Sequence, residues 1–198
     1  SWLKNGIGPC QPFDSWGKQP DIASPKDYEP DAARCALVDT IRNALLNPGD
    51  QGPVFRVDGL PGIGKTRLVY EALKLEGLRQ RVVYTDAERL VSSQLLDELQ
   101  RNDDLSAIVV ADECDADLHD KLVRSLASRG DRLSLITISC DMRSLPLPTT
   151  CIRVDRLSTT NVDKIIRHCA PSLPEEVVLR VAEFADGFPR VAVLLADS

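Results

Sequence analysis

Hydrophobic positions along the chain recur at helical spacing first, then alternate between strand and helix periods. Leu37, Val38, Ile41 and Leu45 share one face of a predicted helix over 31–46, with Asp31 placed to cap it and Asn47-Pro48-Gly49-Asp50 to end it. The alternating run Val54-Phe55-Arg56-Val57-Asp58 predicts a first strand. Leu68/Ala72 and Val69/Leu73 mark an amphipathic helix that Gly77 is expected to close. Residues 81–85 predict a second strand, and Val91, Leu95 and Leu99 a helix before the polar break Asn102-Asp103-Asp104. Ala107-Ile108-Val109-Val110-Ala111 is apolar throughout, as suits a strand buried on both faces. Leu118, Leu122, Val123 and Leu126 give a helix stopped by Gly130, followed by a fourth strand over 133–139 and a short fifth over 151–154. Strands alternating with helices of this length predict right-handed crossovers and a parallel, three-layer α/β sheet.

From Ser158 the pattern is helical only. Val162, Ile165, Ile166 and Cys169 form one face; Val177, Val178, Val181, Ala182 and Ala185 form the next; a third helix is expected after Gly187-Phe188-Pro189. Residues 1–27 show no period, so they are expected to be an irregular arm that Trp2, Phe13 and Trp16 anchor. The expected divisions are an arm over 1–30, a core over 31–157 and a small helical lid over 158–198. The chain starts at Ser1 and stops inside its last predicted helix, as expected of a piece of a longer protein.

Composition narrows this picture. A net charge of -6 and a pI near 5.0 argue against broad affinity for nucleic acid. No apolar run approaches the length of a membrane span, and no leader pattern is visible. The six cysteines lack ligand spacing and read as reduced thiols of a cytoplasmic protein, several of them inside predicted strands or helices where a small buried thiol is expected.

Between the first strand and the next helix lies Gly59-Leu60-Pro61-Gly62-Ile63-Gly64-Lys65-Thr66, a G-x-x-x-x-G-K-T phosphate-binding loop. Its glycines let the backbone turn back so that successive N–H groups converge on phosphate oxygens. The helix opening near Gly64 adds the positive end of its dipole. Lys65 supplies a charge for the β- and γ-phosphates, and Thr66 a hydroxyl for Mg²⁺. A plain glycine-rich turn is the structural alternative, and the strand before and helix after the loop weigh against it.

Asp112-Glu113 directly follows the apolar third strand, where a Walker B acid belongs. Asp112 suits the Mg²⁺ shell, and Glu113 suits the general base that polarises the attacking water. Alone the pair reads equally well as the polar end of a strand. With the P-loop upstream, the nucleotide site is the better reading. Asp115 and Asp117 read as helix-starting acids. Ser139 ends the fourth strand, expected between the P-loop and Walker B strands, where it senses the γ-phosphate or merely caps the strand. Arg143 reads as a solvated loop arginine rather than a phosphate contact, and His119 and His168 as packing or surface residues. No N/T-K-x-D guanine-reading motif is present, which favours adenine.

These stretches resemble the STAND class of P-loop NTPases, signal-transducing relatives of AAA+ ATPases that include NB-ARC switches. The P-loop through Leu68, the Walker B run 107–113 and Ala185-Asp186-Gly187-Phe188-Pro189-Arg190-Val191-Ala192 carry the resemblance, which covers about 31–197. The last of these is similar to the class's G-x-P lid motif, whose proline lies against the nucleotide. The resemblance implies an ASCE/AAA+-like core with a lid, binding ATP or ADP with Mg²⁺. Around the nucleotide it places Gly59, Pro61, Gly62, Ile63, Gly64, Lys65, Thr66, Arg67, Ser139, Pro189 and Arg190. It puts Thr66 and Asp112 on the metal and gives Glu113 and Lys65 catalytic roles.

The activity so implied is a slow, Mg-dependent ATPase switch. ADP holds the lid against the core, and ATP exchange permits homo-oligomerisation and drives effector and sensor domains of a longer chain. In bacteria it implies antiphage defence or transcription control. The sequence departs from the class after Ser139, where Cys140-Asp141-Met142-Arg143 replaces an immediate arginine, and the usual winged helix beyond the lid is not seen. Arg190 also stands at the G-x-x-R spacing of the sensor-2 arginine in origin-recognition AAA+ proteins. A DNA-remodelling or loader ATPase is therefore the alternative, which the acidic balance disfavours. A nucleotide-stabilised scaffold without turnover is a third reading, and Glu113 argues against it.

Overall fold

Among the described residues one six-stranded sheet runs in the order β1-β3-β4-β5-β2-β6. The computed structural model describes residues 10–23, 30–141 and 148–197. In chain order, β1 (Gln11–Pro12), α1 (Phe13–Trp16) and α2 (Pro20–Ala23) precede α3 (Ala32–Leu46) and β2 (Val54–Asp58). Then come α4 (Lys65–Ala72), α5 (Glu76–Arg79), β3 (Val82–Asp86), α6 (Ala87–Val91) and α7 (Leu95–Arg101). β4 (Ala107–Asp112), α8 (Ala116–Leu126), a 3₁₀ turn (Ala127–Arg132), β5 (Leu133–Ser139) and β6 (Thr149–Arg153) complete the sheet. The chain closes with α9 (Thr159–Cys169), α10 (Glu175–Ala185) and α11 (Pro189–Ala196).

The five longer strands are parallel, and β5 lies between the P-loop strand β2 and the Walker B strand β4, as expected. Alternation along each strand makes the three layers. Phe55 and Val57 of β2 join Val38, Ile41 and Leu45 of α3 and Leu68 and Val69 of α4 on one face. Ala107, Val109 and Ala111 of β4 join Leu95, Leu99 and Leu122 on the other. Fully burying each of the Val, Leu, Ile and Phe side chains among these contributes about 1.5–3 kcal/mol, which ties the helices to the sheet. Asp31 caps α3 as expected, accepting from Arg34 N–H at 2.7 Å. The C-terminal helices pack on one another around their own cluster, which includes Val162, Ile166, Val178 and Ala192.

Four expectations need correction. Residues 11–23 are not irregular, since β1 pairs antiparallel with β3, although Phe13 and Trp16 do anchor the segment in the core as expected. Trp2 lies outside the described residues. Gly77 does not close α4, which ends at Ala72 with Leu73 as its C-cap, whose backbone N–H bonds back to Val69 and Tyr70; Gly77 lies inside α5. The helix expected through Val91, Leu95 and Leu99 is two helices, broken at Ser92–Ser93, where Ser93 Oγ donates to Leu90 O and accepts from Leu95 N–H; Val91 is exposed while Leu95 and Leu99 are buried. Finally, α8 ends at Leu126, and Gly130 instead takes φ 63 inside the 3₁₀ turn that follows. Among the described residues no helix is long and apolar enough to cross a membrane.

Candidate nucleotide site

The loop between β2 and α4 is built by its glycines. Gly62 and Gly64 hold φ 77 and 93, a left-handed region that a side chain disfavours. Gly59 is required by space, since a Cβ there would meet the Val154 carbonyl oxygen at 2.6 Å. Gly64 is the N-cap of α4, so the first N–H groups of that helix lack intrahelical partners and face the loop's concave side. Lys65 is buried, and its ammonium donates to Gly59 O at 2.9 Å and Leu60 O at 3.0 Å, with Cys140 Sγ at 3.4 Å. Among the described residues it forms no ion pair. A buried ammonium held by two carbonyls fits a site that receives an anion.

At the sheet's carboxyl edge, Thr66 Oγ1 donates to Asp112 Oδ2 at 3.0 Å. Tyr84 Oη donates to the same oxygen at 3.0 Å, and Glu113 N–H donates to Asp112 Oδ1 at 2.8 Å. Burial, then the neighbouring Asp112, push the Tyr84 phenol far above its ordinary range, so it remains a donor. Glu113 is exposed and sits at φ 53, a conformation uncommon for a residue with a side chain. Such strain persists where the surroundings hold it, here by Cys114 N–H donating to Ile138 O at 2.9 Å. Asp115 accepts from Leu118 N–H and so starts α8 as expected. Among the described residues no group of three or more His, Cys, Asp or Glu converges on a metal position. The donor set suits Mg²⁺, which takes one or two protein oxygens and completes its shell with phosphate and water. Thr66 and Asp112 would hold it, and it would supply charge neutralisation at the terminal phosphates.

Ser139 lies at the end of β5 beside Asp58 of β2, yet its hydroxyl is already engaged. It accepts from Arg56 Nη2 at 2.8 Å and from Asp141 N–H at 2.9 Å. Arg67 turns its side chain away from the loop, to Glu71 and to Ile22 O, so only its backbone adjoins the phosphate position. Arg143 lies outside the described residues. Pro189 and Arg190 do reach the loop. Arg190 N–H donates to Gly62 O at 3.4 Å, and a Cβ on Gly64 would lie 3.9 Å from Pro189 Cγ. The turn before them uses Asp186 at φ 45 and Gly187 at φ 80. A Cβ on Gly187 would come within 2.7 Å of Leu157 O, while Leu157 N–H donates to Gly187 O at 3.0 Å. Beside the loop is a cavity of about 380 Å³, lined by Gly59, Leu60 and Ile63 on one side and residues 153–156 on the other.

Three contributors were missed from the sequence. Arg56 is fully buried in β2, paired with Asp58 at 3.1 Å, and reaches the carbonyls of Asp115 and Asp141. Burial lifts the Asp58 carboxyl above its usual range although Arg56 pulls it down. A charge in the middle of a parallel strand was the signal available for it. Arg34 Nη2 donates to Ile63 O at 2.8 Å and Asp155 O at 3.1 Å, tying α3 to the P-loop and to the chain after β6. Tyr84 had no signal in its own strand.

His119 is not a surface residue. It is buried with Nδ1 2.8 Å from Thr137 Oγ1 and Nε2 2.8 Å from Thr149 Oγ1. The thiols of Cys10 and Cys114 are buried and Cys169 is half-buried, whereas Cys35, Cys140 and Cys151 are exposed. Burial pushes the Cys114 thiol up to about 12, which leaves it unreactive.

No family model and no curated protein matches this chain, but solved structures do. Cdc6p from Pyrobaculum aerophilum aligns at 18% identity and TM-score 0.63, over 86% of this chain and 62% of that one. Domain III of the Thermotoga maritima replication initiation protein DnaA aligns at 17% identity and TM-score 0.60, over 84% and 83%. The fold is that of an AAA+-type P-loop NTPase. A Signal Transduction ATPase with Numerous Domains (STAND) that carries a tetratricopeptide repeat sensor, from Pyrococcus horikoshii, aligns at 18% identity and TM-score 0.58, over 86% and 30%. This P-loop NTPase fold therefore spans less than two thirds of two of these three chains.

Proposed function

We propose that the chain is the ATP-binding and ATP-hydrolysing switch module of a larger STAND-type signalling protein, with the helices over 158–198 acting as its lid. The observation that carries this reading is the seating of the turn 187–190 on the P-loop. Arg190 N–H bonds Gly62 O, and Pro189 lies against Gly64. A lid that touches the loop through backbone and proline can sense what the loop holds, because phosphates entering the nest must share that contact surface. Asp112 and Thr66 would hold Mg²⁺, Lys65 would neutralise the β- and γ-phosphates, and Glu113 would polarise the attacking water. ADP favours the seated lid; ATP favours its release, homo-oligomerisation and action on effector domains, in a cytoplasmic defence or transcription-control role. The acidic balance supports this reading over a DNA-remodelling ATPase.

Calorimetry tests the foundation. Mg²⁺·ATP should bind the wild-type chain, and Lys65→Ala should abolish binding, because it removes a charge-assisted contact at a desolvated phosphate site. Equal affinity in both proteins would sink the phosphate-loop assignment, and efficient displacement of ATP by GTP would overturn the preference for adenine.

A further inference from the structure

The acid at the end of β4 is held by more than the P-loop. Asp112 receives three donors from three places: Thr66 of α4, Tyr84 of β3 and the backbone of Glu113. The Tyr84 ring is itself fixed. Trp16 stacks on it with centroids 4.4 Å apart and planes within 7°, and Gln11 pairs with Tyr84 across the β1–β3 ladder. The same N-terminal segment grips α4, which carries Thr66. Phe13 stacks on Tyr70 at 4.5 Å, Trp16 meets Tyr70 edge-on at 5.1 Å, and Arg67 Nη1 donates to Ile22 O at 3.1 Å.

We propose that Tyr84 is a positioning residue for the Mg²⁺ shell and that residues 11–23 hold it in place, so the N-terminal segment sets the metal affinity of the site. The inference rests on the nucleotide reading above. The Thr66 hydroxyl can serve either the Asp112 carboxylate, as it does here, or a bound cation. Once Thr66 Oγ1 turns from the carboxylate toward a cation, Tyr84 is the remaining side-chain donor to Asp112 among the described residues. A tyrosine has only two side-chain torsions, and a stacked ring loses little further freedom in holding its hydroxyl still. It would therefore hold Oδ2 in one place as an acceptor for a bound cation's shell. A phenol that is merely satisfied by its nearest acceptor would affect stability alike with and without metal.

That difference supplies the test, run on the chain as it stands with nucleotide titrations at fixed free Mg²⁺ and in EDTA. Tyr84→Phe keeps the ring and its stacking and removes only the donor. The Mg²⁺ concentration that half-saturates ATP binding should rise about tenfold or more, as expected for a lost hydrogen bond to a charged acceptor. Metal-free ADP affinity should stay at the wild-type value. Trp16→Leu, which leaves the hydroxyl but removes its platform, should shift the same Mg²⁺ midpoint in the same direction. As a readout that needs no Tyr84 variant, Trp16 becomes the sole tryptophan in a Trp2→Phe chain. Its emission should change when Mg²⁺ is added to nucleotide-loaded protein. If Tyr84→Phe binds with the wild-type ratio of metal-dependent to metal-free affinity, or Trp16 emission ignores Mg²⁺, the proposal is overturned while the nucleotide site stands. A wild-type chain that binds no nucleotide overturns both.

Discussion

Lowering the pH should weaken this protein through His119 before the carboxylates finish titrating. The imidazole is fully buried on α8 between Thr137 of β5 and Thr149 of β6, so it bridges over β2. Burial, and secondarily the Arg56 guanidinium, hold it down to about 4, against 6.5 for an exposed histidine. A neutral ring has one donor and one acceptor nitrogen, and two threonine hydroxyls satisfy both. Between those two values the unfolded chain takes up a proton that the folded one refuses. Stability is therefore complete above pH 6.5, is lost as the pH falls, and levels off below about 4. At pH 4.5 the deficit from this one group is about 2.5 kcal/mol. The assay is urea unfolding at pH 7.5 and 4.5 for the wild type and for His119→Gln, which cannot titrate. With a slope of about 2 kcal/mol per molar urea, the wild-type midpoint should fall by roughly 1 M more than that of the variant. Parallel losses in the two proteins would refute the reasoning, because the pH sensitivity would then belong to the carboxylates.

Two other outcomes are expected at the site. Glu113→Gln should retain Mg²⁺·ATP binding but slow turnover by roughly 10²–10⁴, the effect of losing a general base. Unchanged steady-state hydrolysis in activated, full-length protein would move the base elsewhere. Arg190→Ala should weaken ATP more than ADP, because Arg190 reaches the P-loop from the first turn of α11, where a cation is unfavourable unless an anion joins it. ATP and ADP affinities both left at their wild-type values by competition binding, with the fold intact, would make Arg190 a surface residue.

Local patterns were legible in the sequence because local physics sets them. β2 and β5 have the predicted ends, since the alternation stops at Asp58 before the glycine-rich loop 59–64 and at Ser139 before Cys140-Asp141. The Asp31 cap and the Gly187–Pro189 turn followed from backbone chemistry that needs no partner: a short acceptor before a helix, a left-handed glycine, and a proline where no N–H is required. The P-loop was legible because its residue types answer to phosphate geometry rather than to the rest of the fold.

What the sequence did not carry depends on residues far apart in the chain. A strand of two residues has no period, so β1 exists only because β3 offers it an edge and the aromatic stack pins it there. Val91 looked like a helix-face residue beside Leu95 and Leu99; only the packed fold leaves it exposed. Arg56 takes its partners from positions 58, 115, 139 and 141, and His119 from 137 and 149. Tyr84 finds its acceptor 28 residues away on the neighbouring strand. A buried polar group must be paired wherever it ends up, and which group pairs with it is set by strand order and register, which the spacing along one strand does not encode.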